Sequence, residues 1–344
     1  MTMKSEPNHE VVDWLLQGDV AIQWQTMRDV LDLAETQWRP VRRRVAQEGW
    51  GRRLLDLRDP AGTWGGGIYT PKWTSTTYTL LVLRQLGLPR TTPAAAEGAR
   101  LIADAELGAR AAQDFAQRLD HHDLCVTGMT LALLTYFGGS DDRIQAIAEH
   151  LLRRQMADGG WNCKERQHQS HHSSLHTTIN VLDGLADYAR YRGKKAAAAV
   201  APAVVRAGGF LLAHHLYRSH NTGQVIHPAF MQFSFPPRWH WDVLRGLDFL
   251  REVGAPRDER LGDAINLVQS KRLPDSRWKL EKHHCGVEFF RLEKPGQPSR
   301  WNTLRALRVL RWWDGKLLPR QKMKEMRGFL TGLDTARPRE GDRL

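Results

Sequence analysis

Apolar residues recur at the three- and four-residue spacing of a helix in six stretches of the chain, and each stretch follows a polar segment. These stretches cover residues 23–33, 76–86, 123–137, 176–188, 241–253 and 302–312. Corresponding positions at their starts lie 49 to 64 residues apart, about the length of two helices with their connections. Amphipathic stretches at 143–156 and 258–271 lie between them. The pattern therefore predicts helices that alternate between inner and outer positions.

Three turn segments that end in tryptophan precede three of these stretches. They cover residues 58–64, 155–161 and 272–278 and end at Trp64, Trp161 and Trp278. Only the middle segment also has a glutamine and a glycine, Gln155 and Gly159, at the repeated positions. A recurring unit of turn, loop and helix predicts an all-α repeat fold. We expect six helical hairpins closed into an (α/α)6 toroid, with an open solenoid as the alternative because periodicity does not show closure.

One domain accounts for most of the chain in this interpretation. The toroid is expected to span residues 18–316, after an N-terminal segment at 1–17 and before a basic C-terminal tail at 317–344. With 41% hydrophobic residues the chain can bury a sizeable core. The most apolar run, 196–212, is interrupted by Pro202, Arg206 and two glycines, so we expect no integral membrane segment.

The charge balance of 50 basic against 38 acidic residues gives a net charge of +12. This excess is compatible with nucleic acid, anionic lipid or a phosphorylated small molecule as a ligand. The sequence has no zinc-finger spacing, no aromatic RNA-binding motif and no basic run broken by aromatic residues, so we expect no nucleic-acid partner. Three cysteines and the lack of an apolar leader argue against a disulfide framework and favour a cytoplasmic protein.

Two short motifs resemble a known superfamily. The pattern Gln155-x-x-x-Gly159-x-Trp161 resembles the repeat of squalene and oxidosqualene cyclases, and residues 176–185, HTTINVLDGL, are similar to a helix of protein prenyltransferase β-subunits. Both families are six-hairpin α/α toroids. The resemblance implies an enzyme of the terpenoid cyclase and prenyltransferase type that acts on a prenyl diphosphate or another hydrophobic substrate. Those β-subunits work with an α-subunit, and the sequence does not identify a partner subunit here.

The same resemblance implies a zinc site. In the prenyltransferases an Asp-x-Cys pair and the histidine of the next inner helix bind zinc, and Asp123, Cys125 and His176 occur in that order and at a suitable interval. Parallel inner helices would bring these residues to one mouth of the ring, and zinc prefers thiolate, imidazole and carboxylate ligands. Cys163, His172 and Cys285 are further candidate ligands. A packed thiol at Cys125 and a hydrogen-bonded imidazole at His176 form the structural alternative.

The remaining starts of the inner helices predict a substrate site. An Arg-Trp-(His/Asn) pattern recurs at Arg238-Trp239-His240 and Arg300-Trp301-Asn302, with Trp241 directly after the first copy. Two arginines beside helix N-termini favour an anion such as diphosphate, and tryptophan faces stabilise carbocations or line an apolar chamber. We therefore take Arg238, Arg300, Trp239, Trp241, Trp301 and Asn302 as candidate substrate contacts. The structural alternative is that the arginines pair with acidic neighbours and the tryptophans fill gaps between hairpins.

Asp123 and His240 are the candidate catalytic residues. The Asp-x-Asp-Asp acid of bacterial squalene cyclases is absent, which leaves Asp123 as the acid of an alternative, metal-independent terpene cyclase. A carboxyl group kept neutral in an apolar cavity can donate a proton, whereas a zinc-bound carboxylate cannot, so the two roles of Asp123 exclude each other. The main alternative to an enzyme is a toroid without catalysis that binds a lipid or a partner protein.

Overall fold

The computed structural model describes residues 8–108, 115–138, 143–165 and 169–315. Within these residues the protein is mostly helical, which confirms the all-α prediction. The expected basic tail at 317–344 and the first seven residues of the N-terminal segment lie outside the described residues.

Fourteen helices are described, together with one short pair of strands. The helices are α1 (His9–Leu16), α2 (Val20–Asp29), α3 (Glu35–Arg43), α4 (Gly49–Leu55), α5 (Thr76–Leu86), α6 (Pro93–Leu107), α7 (Phe115–His121), α8 (Leu124–Phe137), α9 (Arg143–Arg153), α10 (Leu175–Tyr191), α11 (Lys194–Ala213), α12 (Val243–Glu252), α13 (Gly262–Ser270) and α14 (Arg300–Trp313). Single 3-10 turns lie at Arg44–Ala46, Pro228–Met231 and Glu259–Leu261. Strands β1 (Trp278–Lys279) and β2 (Pro298–Ser299) pair antiparallel.

The six predicted stretches correspond to α2, α5, α8, α10, α12 and α14, which we call the core helices. Their bounds agree with the sequence to within a few residues. The largest difference is at α2, which spans Val20–Asp29 rather than residues 23–33. Its start is fixed by Asp19, whose carboxylate accepts a hydrogen bond from the backbone N–H of Ala21 at 2.8 Å and so caps the helix.

The three tryptophan turns repeat at the level of single hydrogen bonds. The indole N–H groups of Trp64, Trp161 and Trp278 donate to the carbonyl oxygens of Leu54, Leu151 and Val268 at 2.6 to 2.7 Å. Their backbone N–H groups donate to the hydroxyls of Thr76, Thr178 and Thr303 at 3.0 Å. All three tryptophans are fully buried, so each turn joins the end of the preceding helix to the first turn of the next core helix. This confirms the predicted repeat unit.

Consecutive core helices contact one another. The tightest pair is α8 with α10, where a Cβ on Gly128 would come within 2.6 Å of the carbonyl oxygen of Asn180 and a Cβ on Gly184 equally close to the oxygen of Gly128. Glycine at both positions therefore lets two backbones touch. The last core helix also contacts the first, because Arg308 of α14 donates to the side-chain oxygen of Gln25 on α2 at 2.9 Å.

The N-terminal segment contributes a packed helix. Val11, Val12 and Leu15 of α1 are buried, and α1 contacts α2 and α14. Among the described helices, α11 is long and apolar enough to cross a bilayer by length and composition, although half of its most apolar window is buried against the rest of the protein. Pro202 lies inside this helix.

Candidate functional site

Aromatic and imidazole rings collect at the N-terminal ends of the core helices. His176 of α10 lies 5.2 Å from Trp239 and 5.8 Å from His240, measured between ring centroids. His240 in turn stacks on Trp239 and on His284, both at 3.8 Å. The structure thus brings together three of the residues singled out in the sequence. We call these four residues and Trp73, which contacts His240 and His284, the histidine–tryptophan cluster.

The imidazoles of this cluster are held neutral. Burial lowers the pKa of His240 to about 3 and the pKa values of His176 and His284 to about 4. The Nδ1 atom of His176 accepts a hydrogen bond from the backbone N–H of Trp241 at 2.8 Å. In the neutral imidazole, Nδ1 therefore acts as the acceptor. This hydrogen bond orients the His176 ring.

Three buried nitrogens of the cluster have no hydrogen-bond partner within the described part of the chain. They are the indole nitrogen of Trp239, Nδ1 of His240 and Nε2 of His284. Buried polar atoms are nearly always hydrogen-bonded in folded proteins. The cluster can therefore form further hydrogen bonds through these three nitrogens.

A pair of cysteines lies beside the cluster, between α8 and the turn after Trp161. The backbone N–H of Cys125, in the first turn of α8, donates to the sulfur of Cys163 at 3.2 Å. The hydroxyl of Thr177, in the first turn of α10, lies 3.4 Å from the same sulfur. The Cys125 side chain lowers the pKa of Cys163, whereas the contact with Cys163 and burial raise the pKa of Cys125. Of the two sulfurs, that of Cys163 has the surroundings that favour the thiolate.

The structure gathers only part of the expected zinc ligands. Cys125 meets Cys163, one of the further candidates, and Asp123 is the residue directly before α8. His176 instead belongs to the histidine–tryptophan cluster, where its ring contacts Trp239. Among the residues that the structure describes, no three histidine, cysteine, aspartate or glutamate side chains form a group that could hold a metal ion. Zinc binding stays a prediction that elemental analysis of the purified protein tests.

The two other candidate ligands have separate surroundings. Cys285 is an exposed free thiol, and its carbonyl oxygen accepts a hydrogen bond from the indole of Trp73 at 2.8 Å. The backbone oxygen of His172 accepts from the side chain of Asn162 at 2.7 Å. Neither side chain is part of the cysteine pair.

The two predicted anion-binding arginines have structural partners. Arg238 forms an ion pair with Glu288 at 2.9 Å, and its guanidinium lies over the ring of Trp73. Burial lowers the pKa of Arg238. Arg300 donates to the carbonyl oxygen of Trp14 on α1 at 2.9 Å and lies over that indole. These contacts are of the kind expected if both arginines have structural roles.

The other predicted substrate contacts divide between packing and a cavity. The indole of Trp241 donates to the carbonyl oxygen of Leu216 at 2.8 Å, and Asn302 of α14 donates to that of Lys279 in β1 at 3.0 Å, so both side chains have structural partners. Trp301 stacks on Phe235 with ring centroids 4.1 Å apart, and both rings line the cavity described next.

A cavity of about 300 Å³ lies between the core helices, and all six of them contribute to its wall. Its charged lining residues are Arg28, Arg42, Arg84, Asp183, Asp187, Arg190, Arg245, Asp248, Glu252, Arg305 and Arg308. Its aromatic lining residues are Trp24, Trp38, Tyr136, Tyr191, Phe235, Phe249 and Trp301. We call this the arginine cavity.

Ion pairs connect the core helices around the arginine cavity. Arg84 of α5 contacts Asp187 of α10 at 2.6 Å, and Arg245 of α12 contacts Asp183 of α10 at 2.8 Å. Asp248 is the most connected carboxylate: it contacts Arg308 through both oxygens, and Arg251 at 3.0 Å. Burial would raise the pKa of Asp248, but Arg308 and Arg251 hold it below its usual value. The carboxylate therefore stays ionised inside the protein.

Positive charge exceeds negative charge in the wall of the cavity. Seven arginines face four carboxylates there, an excess of three. Asp29 pairs with Arg28 and Arg308 behind the wall, and including it leaves an excess of two. Guanidinium groups remain charged in proteins, so this interior favours an anionic ligand.

Sequence reasoning missed the arginine cavity. Its charged residues are spaced three or four apart on apolar helices, as with Asp183 and Asp187 on α10 or Arg305 and Arg308 on α14. The available signal was a charged stripe on helices that are otherwise apolar. On an isolated helix that stripe is typical of a solvated face, and only the neighbouring helices show that it points inward.

Comparisons with known proteins add no family to this description. Nothing matched the chain among the protein-family models, the curated proteins or the solved structures.

Proposed function

We propose that the six core helices close into an α/α toroid whose central arginine cavity binds a small organic anion. Two features support closure: α14 contacts α2 through Arg308 and Gln25, and the cavity wall draws residues from every core helix. An open solenoid would leave its first and last helices apart.

The ligand class is inferred from the excess of arginine over carboxylate in a half-open, partly aromatic cavity. Arg42 and Arg305 are the most available cations. Arg42 donates to two neutral acceptors, the carbonyl oxygen of Gly87 at 3.0 Å and the hydroxyl of Tyr136 at 2.8 Å. Arg305 is buried, and its nearest carboxylates, Asp248 and Asp242, lie 3.6 and 3.7 Å away. An anion that accepts charge-assisted hydrogen bonds from both guanidinium groups would compensate their burial.

The size and lining of the cavity favour a short ligand. A volume of about 300 Å³ is at the low end for small-molecule sites, and charged groups share the wall with aromatic rings. We therefore propose a short-chain prenyl diphosphate rather than a long polyprenyl one, with its diphosphate among the arginines and its hydrocarbon part against Trp301 and Phe235.

The proposed reaction class is prenyl transfer or cyclisation. In an allylic diphosphate the C–O bond breaks heterolytically, and its electron pair leaves with the diphosphate. Fixed guanidinium groups stabilise the charge that develops on the leaving group. Tyrosine and tryptophan faces in the wall are suited to stabilise the allylic cation that remains.

Calorimetric titration of geranyl diphosphate and of geraniol tests this proposal. The variant Arg42→Gln is expected to weaken binding of the diphosphate by about 10- to 100-fold, because one charge-assisted hydrogen bond is lost, and to change binding of the alcohol little. Arg300→Gln is the matched control, since Arg300 contacts Trp14 outside the cavity.

The proposal is wrong if the diphosphate does not bind, or if Arg300→Gln weakens it as much as Arg42→Gln does. Release of inorganic diphosphate from bound geranyl diphosphate supports an enzyme. Binding without any release supports a toroid that only carries its ligand.

A further inference from the structure

Two thiols lie together at the start of α8, and the proposed reaction uses neither. The backbone N–H of Cys125 donates to the sulfur of Cys163 at 3.2 Å, which places the two cysteines side by side. Both residues are partly buried. The third cysteine, Cys285, is an exposed free thiol and serves as an internal reference.

The hydrogen-bond donors around the pair favour one of the two sulfurs. The backbone N–H of Cys125 points at the sulfur of Cys163 at 3.2 Å, and the hydroxyl of Thr177 lies 3.4 Å from it. When Cys163 is ionised, both groups donate to its sulfur, and both lie in the first turns of helices, α8 and α10, where the peptide dipoles also stabilise negative charge. Cys163 is therefore the sulfur best prepared to act as a nucleophile, with Cys125 next to it as the second thiol.

We propose that Cys163 and Cys125 form a redox-active dithiol that hydroperoxides oxidise to a reversible disulfide. The Cys163 thiolate attacks the distal oxygen of the peroxide. The O–O bond breaks, the sulfur becomes a sulfenic acid, and the remaining oxygen leaves as alkoxide or hydroxide and takes up a proton. Cys125 then attacks the sulfur of the sulfenic acid, an S–S bond forms, and water leaves.

The electron balance of this sequence is complete. Two thiols lose two electrons and two protons, and one hydroperoxide is reduced to an alcohol and one water, or to two waters when the oxidant is hydrogen peroxide. A small thiol reductant reverses the change by thiol–disulfide exchange.

Intact-mass analysis after alkylation tests the proposal on the full chain. Reduced wild-type protein is treated with one equivalent of hydrogen peroxide, and free thiols are then alkylated with N-ethylmaleimide. We expect only one alkylated cysteine, Cys285, where untreated protein has three, and peptide mapping should find a peptide that joins Cys125 to Cys163. Dithiothreitol should restore all three alkylation sites.

Variants assign the two roles. Cys285→Ser should form the same disulfide, whereas Cys163→Ser should form none. Cys125→Ser should stop at the sulfenic acid of Cys163, which dimedone traps.

The inference is overturned if peroxide modifies Cys285 before the pair, or if wild-type protein gives no joined peptide. It is also overturned if the purified chain holds zinc through Cys125 and Cys163 and the two thiols resist peroxide until a chelator removes it. The mapping of wild-type protein decides the question even where a serine variant does not fold.

Discussion

The histidine–tryptophan cluster and the arginine cavity both lie along the core helices, but they deal with buried ionisable groups in opposite ways. In the cluster, burial lowers the pKa values of His176, His240 and His284, and the rings stay neutral. In the cavity the arginines cannot lose their protons, so carboxylates such as Asp248 keep them charged and paired. The histidines of the cluster are uncharged, whereas the charges of the arginines in the cavity are compensated by carboxylates.

The difference indicates how each region responds to change. The stability that a neutral aromatic stack provides depends on pH, but a single substitution in it changes the electrostatic energy little. A charge network depends on every partner, because removal of one carboxylate leaves several buried cations without compensation. The following predictions test this contrast.

The largest effect is expected at Asp248. Replacing it with alanine leaves Arg251, Arg305 and Arg308 with fewer partners inside the protein. Breaking a buried ion pair from one side costs about 3–5 kcal/mol in the free energy of unfolding. Urea unfolding followed by circular dichroism measures the loss.

An exposed ion pair provides the control for Asp248. Asp56 pairs with Arg52 on the surface of α4, with both side chains more than half exposed. Asp56→Ala should cost at most about 0.5 kcal/mol. Similar losses in the two variants would show that the cavity network does not depend on burial.

The second prediction concerns pH. Each cluster histidine has a lower pKa in the folded protein than the ordinary 6.5, so the unfolded chain binds a proton first as the pH falls. Stability is therefore expected to decrease from about pH 6.5 to about pH 4. The lowered pKa of Asp248 affects stability only once the pH falls below the ordinary aspartate pKa of 3.8. The two regions therefore lose stability in different pH ranges.

His240→Phe isolates the contribution of the cluster. Phenylalanine keeps a ring between Trp239 and His284 but does not titrate. Its unfolding free energy should fall less steeply than that of the wild type, by up to about 1 kcal/mol per pH unit after allowing for partial exposure of the ring. Chemical unfolding at pH 7, 6, 5 and 4 measures both slopes, and parallel slopes would contradict the assignment.

The smallest effect is expected at the tryptophan turns, which contain no ion pair of either region. Thr178→Val removes the hydroxyl that accepts a hydrogen bond from the backbone N–H of Trp161. That buried donor then has no partner. The cost should be about 1–2 kcal/mol. Thr178→Ser keeps the hydroxyl and should retain most of the stability, and a loss as large as that of the valine variant would show that the methyl group matters instead.

The sequence predicts the helices because their signals are local. The tryptophan turns and the apolar spacing of α5, α8, α10 and α14 each lie within a few residues, and the structure confirms them. The meeting of His176 with Trp239 and His240 follows from the repeat, since equivalent helix starts come together.

Long-range pairing was not predictable in the same way. Arg238 and Arg300 have equivalent positions in the repeat, but their partners come from unrelated segments. Arg238 pairs with Glu288, and Arg300 donates to the carbonyl oxygen of Trp14. The apolar spacing of α14 does not indicate the partners of Arg308, which are Gln25 and Asp248 on two other core helices. Side-chain partners of this kind depend on how helices rotate against each other, which the spacing of apolar residues fixes only to within part of a turn.

The contact of Arg308 with Asp29 has a consequence for how the protein is made. The two residues are 279 positions apart, so a ribosome that adds roughly 5 to 20 residues per second takes roughly 15 to 60 s to supply the second after the first. During this interval Asp29, which is fully buried in the finished protein, has Arg28 but lacks Arg308. The first core helix is therefore expected to reach its final packing only after Arg308 has been synthesised.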